Sequence, residues 1–124
     1  MKLTCLVIDD EPLARRLIEL FASKTNLSVI KSFGDLTTAF SFLEEIKYEV
    51  DVIFLDVEVN EESSIILLNN TGKDKDIKIV FISAYPASLF DNYNILYFDW
   101  LQKPISYLSF EEVVARLKFD KSKT

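Results

Sequence analysis

The sequence predicts an α/β fold in which an open, parallel, five-stranded sheet is covered by helices on both faces. Three observations carry this expectation. Short, β-branched and almost continuously apolar runs recur along the chain, as LTCLVI (3–8), DVIFL (51–55) and IKIVFIS (77–83), the pattern of strands buried on both faces. Stretches with apolar residues at helical spacing lie between such runs. A length of 124 residues with 49% hydrophobic residues suits one domain around one sheet. Strands and helices that alternate in this way connect by right-handed crossovers.

The elements follow in order. After the first strand, PLARRLIELFASK (12–24) places Leu13, Leu17, Leu20 and Phe21 on one face, with Pro12 suited to a first helical turn. LSVIKSF (27–33) reads as a less apolar strand. DLTTAFSFLEEIK (35–47) has Asp35 as N-cap and Leu36, Ala39, Phe40 and Leu43 facing inward. Beyond the central strand, SIILLNN (64–70) reads as a short helix, and PASLFDNY (86–93) as a weaker one after the fourth strand. A fifth strand lies within LYFDWLQKP (96–104), and SYLSFEEVVARLK (106–118) closes the domain with Leu108, Val113, Ala115 and Leu117 inward. The domain is expected over residues 1–119, and DKSKT (120–124) as a polar tail or the start of a linker.

Composition excludes several function classes. A net charge of −6 and a pI near 4.6 argue against direct contact with nucleic acid, which needs clustered Lys and Arg. With no histidine, His-dependent triads, His-containing zinc sites and histidine bases are ruled out. Neither of the two glycines, Gly34 and Gly72, sits in a phosphate-binding Gly-rich loop. No apolar run approaches the roughly 20 residues of a membrane span. The start, MKLTCLVIDDEP, lacks the pattern of a secretory signal, so a cytoplasmic location is expected. The single cysteine, Cys5, reads as a buried small hydrophobe.

In sheets of this kind ligands bind at the carboxyl ends of the strands. The first strand ends in Asp9 and Asp10, the third in Asp56 and the fourth in Ser83, while the fifth runs into Lys103 before Pro104. Adjacent carboxylates repel and resist desolvation unless a cation holds them. An oxygen-only donor set suits a hard ion, so the site is expected to bind Mg²⁺. With a lysine and a hydroxyl nearby it has the parts of a metal-assisted phosphoryl site, with Asp56 the best-placed nucleophile for an aspartyl phosphate.

IDDEP, FLDVE, ISAY and DWLQKP, in that order over nearly the whole chain, make it resemble the receiver domain of a bacterial two-component response regulator. The resemblance implies a flavodoxin-like (βα)5 sandwich of strand order 2-1-3-4-5. It implies Asp56 as phosphoacceptor, Lys103 as the phosphate-pairing cation, and Ser83 as a hydroxyl that turns toward the phosphoryl group. Asp9 and Asp10, with Asp56 and the backbone carbonyl of Glu58, would hold Mg²⁺. Trp100 stands where the family has a Tyr or Phe that swings inward on activation, and Pro104 would follow a cis bond. The side chains of Glu58 and Tyr85 would border the phosphoryl group and influence its hydrolysis. The phosphoryl group would come from a sensor histidine kinase, a phosphotransfer protein or a small donor such as acetyl phosphate. A homodimer or output face would be built from 86–93, the fifth strand and the last helix. DEPLARRLIE and DWLQKPIS are further similar to receivers attached to LytTR-type DNA-binding domains.

One departure stands out. Where receivers have a Pro after the phosphoacceptor and a Gly shortly beyond, this chain has Asn60 and Ser64 within VNEESSI, so the geometry of that loop is open, as is that of the DKD segment (74–76). Each motif also has a plainer reading. Asp9, Asp10 and Glu11 can be an acidic helix cap, Lys103 a solvated charge, Ser83 a turn residue, Trp100 core, and Glu58, Glu61 and Glu62 a solvated loop. Two rival functions are an interaction module that never carries phosphate, and a haloacid-dehalogenase-like phosphatase, since FLDVE resembles a nucleophile motif. Against the latter, Asp56 lies mid-chain behind a separate Asp pair.

Overall fold

The computed structural model describes residues 2–65, 76–93 and 96–122. The strands are Leu3–Ile8 (β1), Leu27–Phe33 (β2), Val52–Asp56 (β3), Glu58–Val59 (β4), Glu62–Ser63 (β5), Lys78–Ser83 (β6) and Asp99–Gln102 (β7). Five of them form one parallel sheet in the order β2-β1-β3-β6-β7, which is 2-1-3-4-5 when only main-sheet strands are counted. The helices are Pro12–Ser23 (α1), Leu36–Glu45 (α2) and Tyr107–Ser122 (α3), with a 3₁₀ segment over Ala87–Tyr93. Among the described residues no helix is long and apolar enough to cross a membrane.

Strand alternation divides the apolar residues between two cores. Cys5, Val7, Phe54, Val80 and Ile82 face α1 and α3, where Ile18, Ala22, Phe110, Val113, Val114 and Leu117 close the layer. Leu6, Ile8, Ile53, Leu55 and Phe81 face the other way, onto Leu36, Ala39 and Leu43 of α2. Because both faces are covered, the middle of each central strand is apolar, and the polar Thr4 and Lys78 lie near the amino ends of β1 and β6. Burial, reinforced by the Asp51 charge, pushes the Cys5 thiol up to about 12, so it stays protonated within the apolar layer.

The helices correct two of the expected faces. On α1 the buried residues are Ile18 and Ala22, Leu17 and Phe21 are half-buried, and Leu13 and Leu20 are 84% and 52% exposed. The true stripe is rotated because residues four apart, Ile18 and Ala22, enter the apolar layer with Cys5, Val7 and Leu27. On α3, Phe110, Val113, Val114 and Leu117 point inward while Leu108 and Ala115 face solvent. Phe110 stacks on Phe54 at a centroid distance of 5.3 Å, and this large contact sets the rotation of the helix. The helix also runs on through residues 120–122 of the expected tail, held by Lys78–Asp120 and Lys121–Asp51 pairs, each at 3.2 Å. Asp35 caps α2 as expected, accepting from the Thr38 N–H at 2.7 Å.

The segment expected as a weak helix at 86–93 is 3₁₀, broken at Phe90 (φ −114°, ψ 16°). Of the helix expected at 64–70, Ser64 and Ile65 are helical and the remainder lies outside the described residues, as do Asp74 and Lys75 of the DKD segment.

The loop after β3 is a small antiparallel hairpin, β4 paired with β5, which was not anticipated. Its two turn residues, Asn60 and Glu61, both have positive φ (52° and 67°), the backbone signature of a type I′ turn. Asn accepts this conformation more readily than Glu. Glu61→Gly is therefore expected to raise stability by about 1 kcal/mol in urea denaturation, with no change in the denaturant slope.

Candidate functional site

The end of β1 turns directly into α1, and this turn fixes Asp9. Its backbone N–H donates to the Phe33 carbonyl at 3.0 Å, and its own carbonyl accepts from Arg15 Nη1 at 2.6 Å. Gly34 makes room for that guanidinium, since a Cβ there would stand 3.0 Å from Arg15 Nη1. The side chain of Asp9 is fully buried; Oδ1 accepts from the Glu11 N–H at 2.9 Å, and Oδ2 makes no hydrogen bond but lies 3.0 Å from Lys103 Nζ as an ion pair. Asp56, the last residue of β3, accepts from the Glu58 N–H on Oδ1 at 3.1 Å and from Lys103 Nζ on Oδ2 at 3.0 Å. Lys103 reaches this point because its N–H donates to the Ser83 carbonyl at 2.7 Å, extending the β6–β7 pairing by one residue. The Lys103–Pro104 bond that follows is cis.

The electrostatics follow from burial and from this one ammonium. Burial lifts Asp56; the Lys103 bond opposes it and the Asp9 charge reinforces it, leaving the carboxyl pushed up to about 6. Burial works against the charge of Lys103, but pairing with Glu11, Asp56 and Asp9 outweighs it and holds the ammonium above its ordinary range. Three carboxylates thus face one lysine. Oxygens of Asp9, Glu11 and Asp56 lie within 4.8 Å of one another, an all-oxygen set whose excess negative charge fits a hard divalent cation such as Mg²⁺.

A profile of the response regulator receiver domain family matches residues 5–117. The chain belongs to that family. It is 35% identical over 117 residues to an uncharacterized response regulatory protein of Vibrio vulnificus, covering 93% of this chain and 47% of the relative. It is 30% identical over 119 residues to the transcriptional regulatory protein BtsR of Escherichia coli, covering 95% and 49%. The chain thus spans about half the length of these relatives. In fold it matches the response regulatory domain of mrkE from Klebsiella pneumoniae (TM-score 0.84, 22% identity, 98% and 99% of the two chains). It likewise matches the receiver domain of AraT from Geobacillus stearothermophilus (TM-score 0.77, 22% identity, all of both chains).

Within this receiver domain the residues singled out from the sequence are not all brought to one point. Asp9, Asp56 and Lys103 meet directly. Ser83 is buried at the same rim, one residue beyond the β6 partner of Asp56, with its hydroxyl accepting from the Tyr85 N–H at 3.0 Å. Asp10 faces sideways and accepts from the Asn60 N–H of the hairpin at 2.9 Å. Glu58 lies in β4 with its side chain exposed. Trp100 packs its ring at 5.3–5.6 Å from Phe81, Tyr97 and Phe90, and its indole N–H donates to the Tyr85 carbonyl at 2.9 Å. Tyr85 itself is exposed.

Sequence reasoning missed three participants. Glu11 was taken only as part of an acidic cap, yet its carboxylate bonds Lys103. Asn60 was noted only as an absent proline, yet it ties the hairpin to Asp10 and, through Nδ2, to the Gly34 carbonyl at 3.1 Å. Ser64 was noted as an absent glycine; its fully buried hydroxyl bonds the Asp56 carbonyl at 2.6 Å, pinning the strand end that carries the phosphoacceptor candidate.

Proposed function

We propose that the domain is a phosphorylation-activated switch that accepts a phosphoryl group on Asp56. The observation that carries this reading is the 3.0 Å contact between Lys103 Nζ and Asp56 Oδ2 at a rim shared with buried Asp9. In the transfer, an Asp56 carboxylate oxygen forms a new bond to phosphorus. The bond from phosphorus to the donor breaks, and the leaving group departs with the electron pair: a histidine nitrogen of a sensor kinase or phosphotransfer protein, or the carboxylate of acetyl phosphate. Lys103 neutralises charge on the transferring oxygens, and its place above the ordinary range keeps it protonated throughout. Mg²⁺, when bound, supplies further charge neutralisation and orientation. Asp9, Asp10, Asp56 and the Glu58 carbonyl would hold it. Later hydrolysis returns the carboxylate, and the domain turns over no other substrate.

Output follows as a population shift in which Ser83 and Trp100 move toward the phosphoryl group. The indole bond to the Tyr85 carbonyl links Trp100 to the turn just after Ser83, which supports that coupling. The responding face would be Ala87–Tyr93, β7 and α3, where Phe98, Arg116 and exposed Phe119 line a shallow groove suited to a second copy or an output domain. The reading makes the protein cytoplasmic, with transcription controlled through a domain outside this chain and no nucleic-acid contact by this one. Intact mass before and after acetyl phosphate with Mg²⁺ tests it. One added phosphate is expected on the wild type and none on Asp56→Asn; an unmodified wild type would mark the domain as a phosphate-free interaction module.

A further inference from the structure

Lys103 carries three ammonium protons, and three carboxylate oxygens face them: Asp9 Oδ2 and Asp56 Oδ2, each at 3.0 Å, and Glu11 Oε1. Two of these contacts, to Asp56 Oδ2 and Glu11 Oε1, are hydrogen bonds, and the third, to Asp9 Oδ2, is an ion pair. The three partners are not equally held. The side chains of Asp9 and Asp56 are 0% and 11% exposed, so releasing either would strand a buried charge, whereas that of Glu11 is 64% exposed and water can take over its bonds.

The backbone around Glu11 allows the side chain to leave. Its N–H is fixed to Asp9 Oδ1 and its carbonyl accepts from the Arg15 N–H at 3.2 Å, so the residue stays in place whatever the carboxylate does. Although it occupies the N-cap position of α1, its side chain makes no capping bond. The carboxylate is therefore not tied to the backbone N–H groups of the first helical turn. What it does is fill one donor of Lys103.

We infer that Glu11 is an internal rival of the phosphoryl group: in the unphosphorylated domain its carboxylate occupies the Lys103 donor that a phosphoryl group on Asp56 requires, and phosphorylation displaces it. The inference rests on the phosphoacceptor reading of Asp56. Two effects act in the same direction. The donor must be vacated, and an anionic group arriving beside Glu11 is repelled by it until it swings into solvent. Glu11 acts through Lys103 and is thus a positioning residue that raises the threshold for activation.

The test uses the whole chain, Mg²⁺ at saturation and beryllium fluoride as the phosphoryl mimic, with affinities from calorimetry. Glu11→Gln is expected to bind the mimic about three- to tenfold more tightly than wild type, the range of an exposed charge-assisted bond. In the wild type, the Glu11 carboxyl carbon resonance should move toward that of a free glutamate when the mimic is added. Equal or weaker binding by Glu11→Gln overturns the inference, as does a Glu11 resonance that stays put. A tenfold or greater loss of Mg²⁺ affinity in Glu11→Gln also overturns it, because Glu11 would then be a cation ligand. If the wild type fails to bind the mimic, the phosphoacceptor reading itself falls; if it binds and the variant gains nothing, only the role of Glu11 falls.

Discussion

In metal-free buffer, Asp56→Asn is expected to be more stable than the wild type at pH 7 by about 1–3 kcal/mol, and this advantage should shrink toward zero as the pH falls to about 4. The carboxyl of Asp56 is pushed up from 3.8 to about 6 by burial first, and then by the charge of Asp9, against the pull of Lys103. Between those two values the folded protein holds a proton that the unfolded chain has released. Raising the pH through that window therefore favours unfolding. The contribution of Asp56 to stability is complete below about 4 and is lost by the time the pH passes about 6. The full gap corresponds to at most about 3 kcal/mol. An amide at this position has no charge to desolvate, so the variant lacks this loss.

The comparison must be between the two proteins, because other carboxyls work in the opposite sense. Asp35 is held low by the Thr38 N–H, and Asp51 is held low by Thr4 and Lys121 in spite of burial, so each adds stability as the pH rises. Subtracting the variant's urea-denaturation profile from the wild type's removes both. Parallel profiles from pH 4 to 7 would show that Asp56 ionises without cost and would remove the argument that the pocket is short of positive charge. Adding Mg²⁺ to 100 times its dissociation constant should stabilise the wild type by about 2.7 kcal/mol and the variant by much less, reversing their order. A protein tuned for stability alone would not keep this carboxylate; a protein that needs an ionisable nucleophile under a cation would.

The strands and the rim were legible because their signals are local. LTCLVI and LSVIKSF coincide with β1 and β2, since short runs rich in β-branched and other apolar residues mark strands, and in β1 the Asp9 that follows marks the exit from the core. Asp9, Asp56 and Lys103 could be placed together because a parallel sheet puts all its carboxyl ends on one edge. Helix rotation was less legible. Leu13 and Leu108 are as apolar as Ile18 and Val114, and only packing against the sheet and Phe54 decides which of them is covered. Glu11 was hidden because its importance lies in a partner 92 residues away, and no short-range pattern reports which carboxylate a distant lysine will choose. Asn60 carried a usable signal: Asn tolerates positive φ, and with Glu61 it forms a two-residue turn between short segments. That signal was masked by comparison with loops that begin with proline.

Asn60→Pro, which restores the residue common at this place in receivers, is expected to destabilise this one by about 3 kcal/mol. Proline fixes φ near −65°, whereas Asn60 sits at 52°, so the turn between β4 and β5 cannot form around it. The substitution also deletes the N–H that Asp10 accepts and the Nδ2–H that holds the Gly34 carbonyl. Asn60→Gly is the control: it keeps the N–H and the positive φ, loses only the tie to Gly34, and should cost less than about 1 kcal/mol. The pair separates fold from site. If Asp10 is positioned for Mg²⁺ by the hairpin, calorimetry should find Mg²⁺ affinity reduced several-fold in the proline variant, measured well below its melting temperature, and close to wild type in the glycine variant. Equal stability of the proline variant would mean that the hairpin is not the conformation of this loop in solution. A stability loss without any loss of Mg²⁺ affinity would instead mean that Asp10 reaches the cation without help from Asn60, leaving the hairpin a purely structural replacement for the usual proline and glycine.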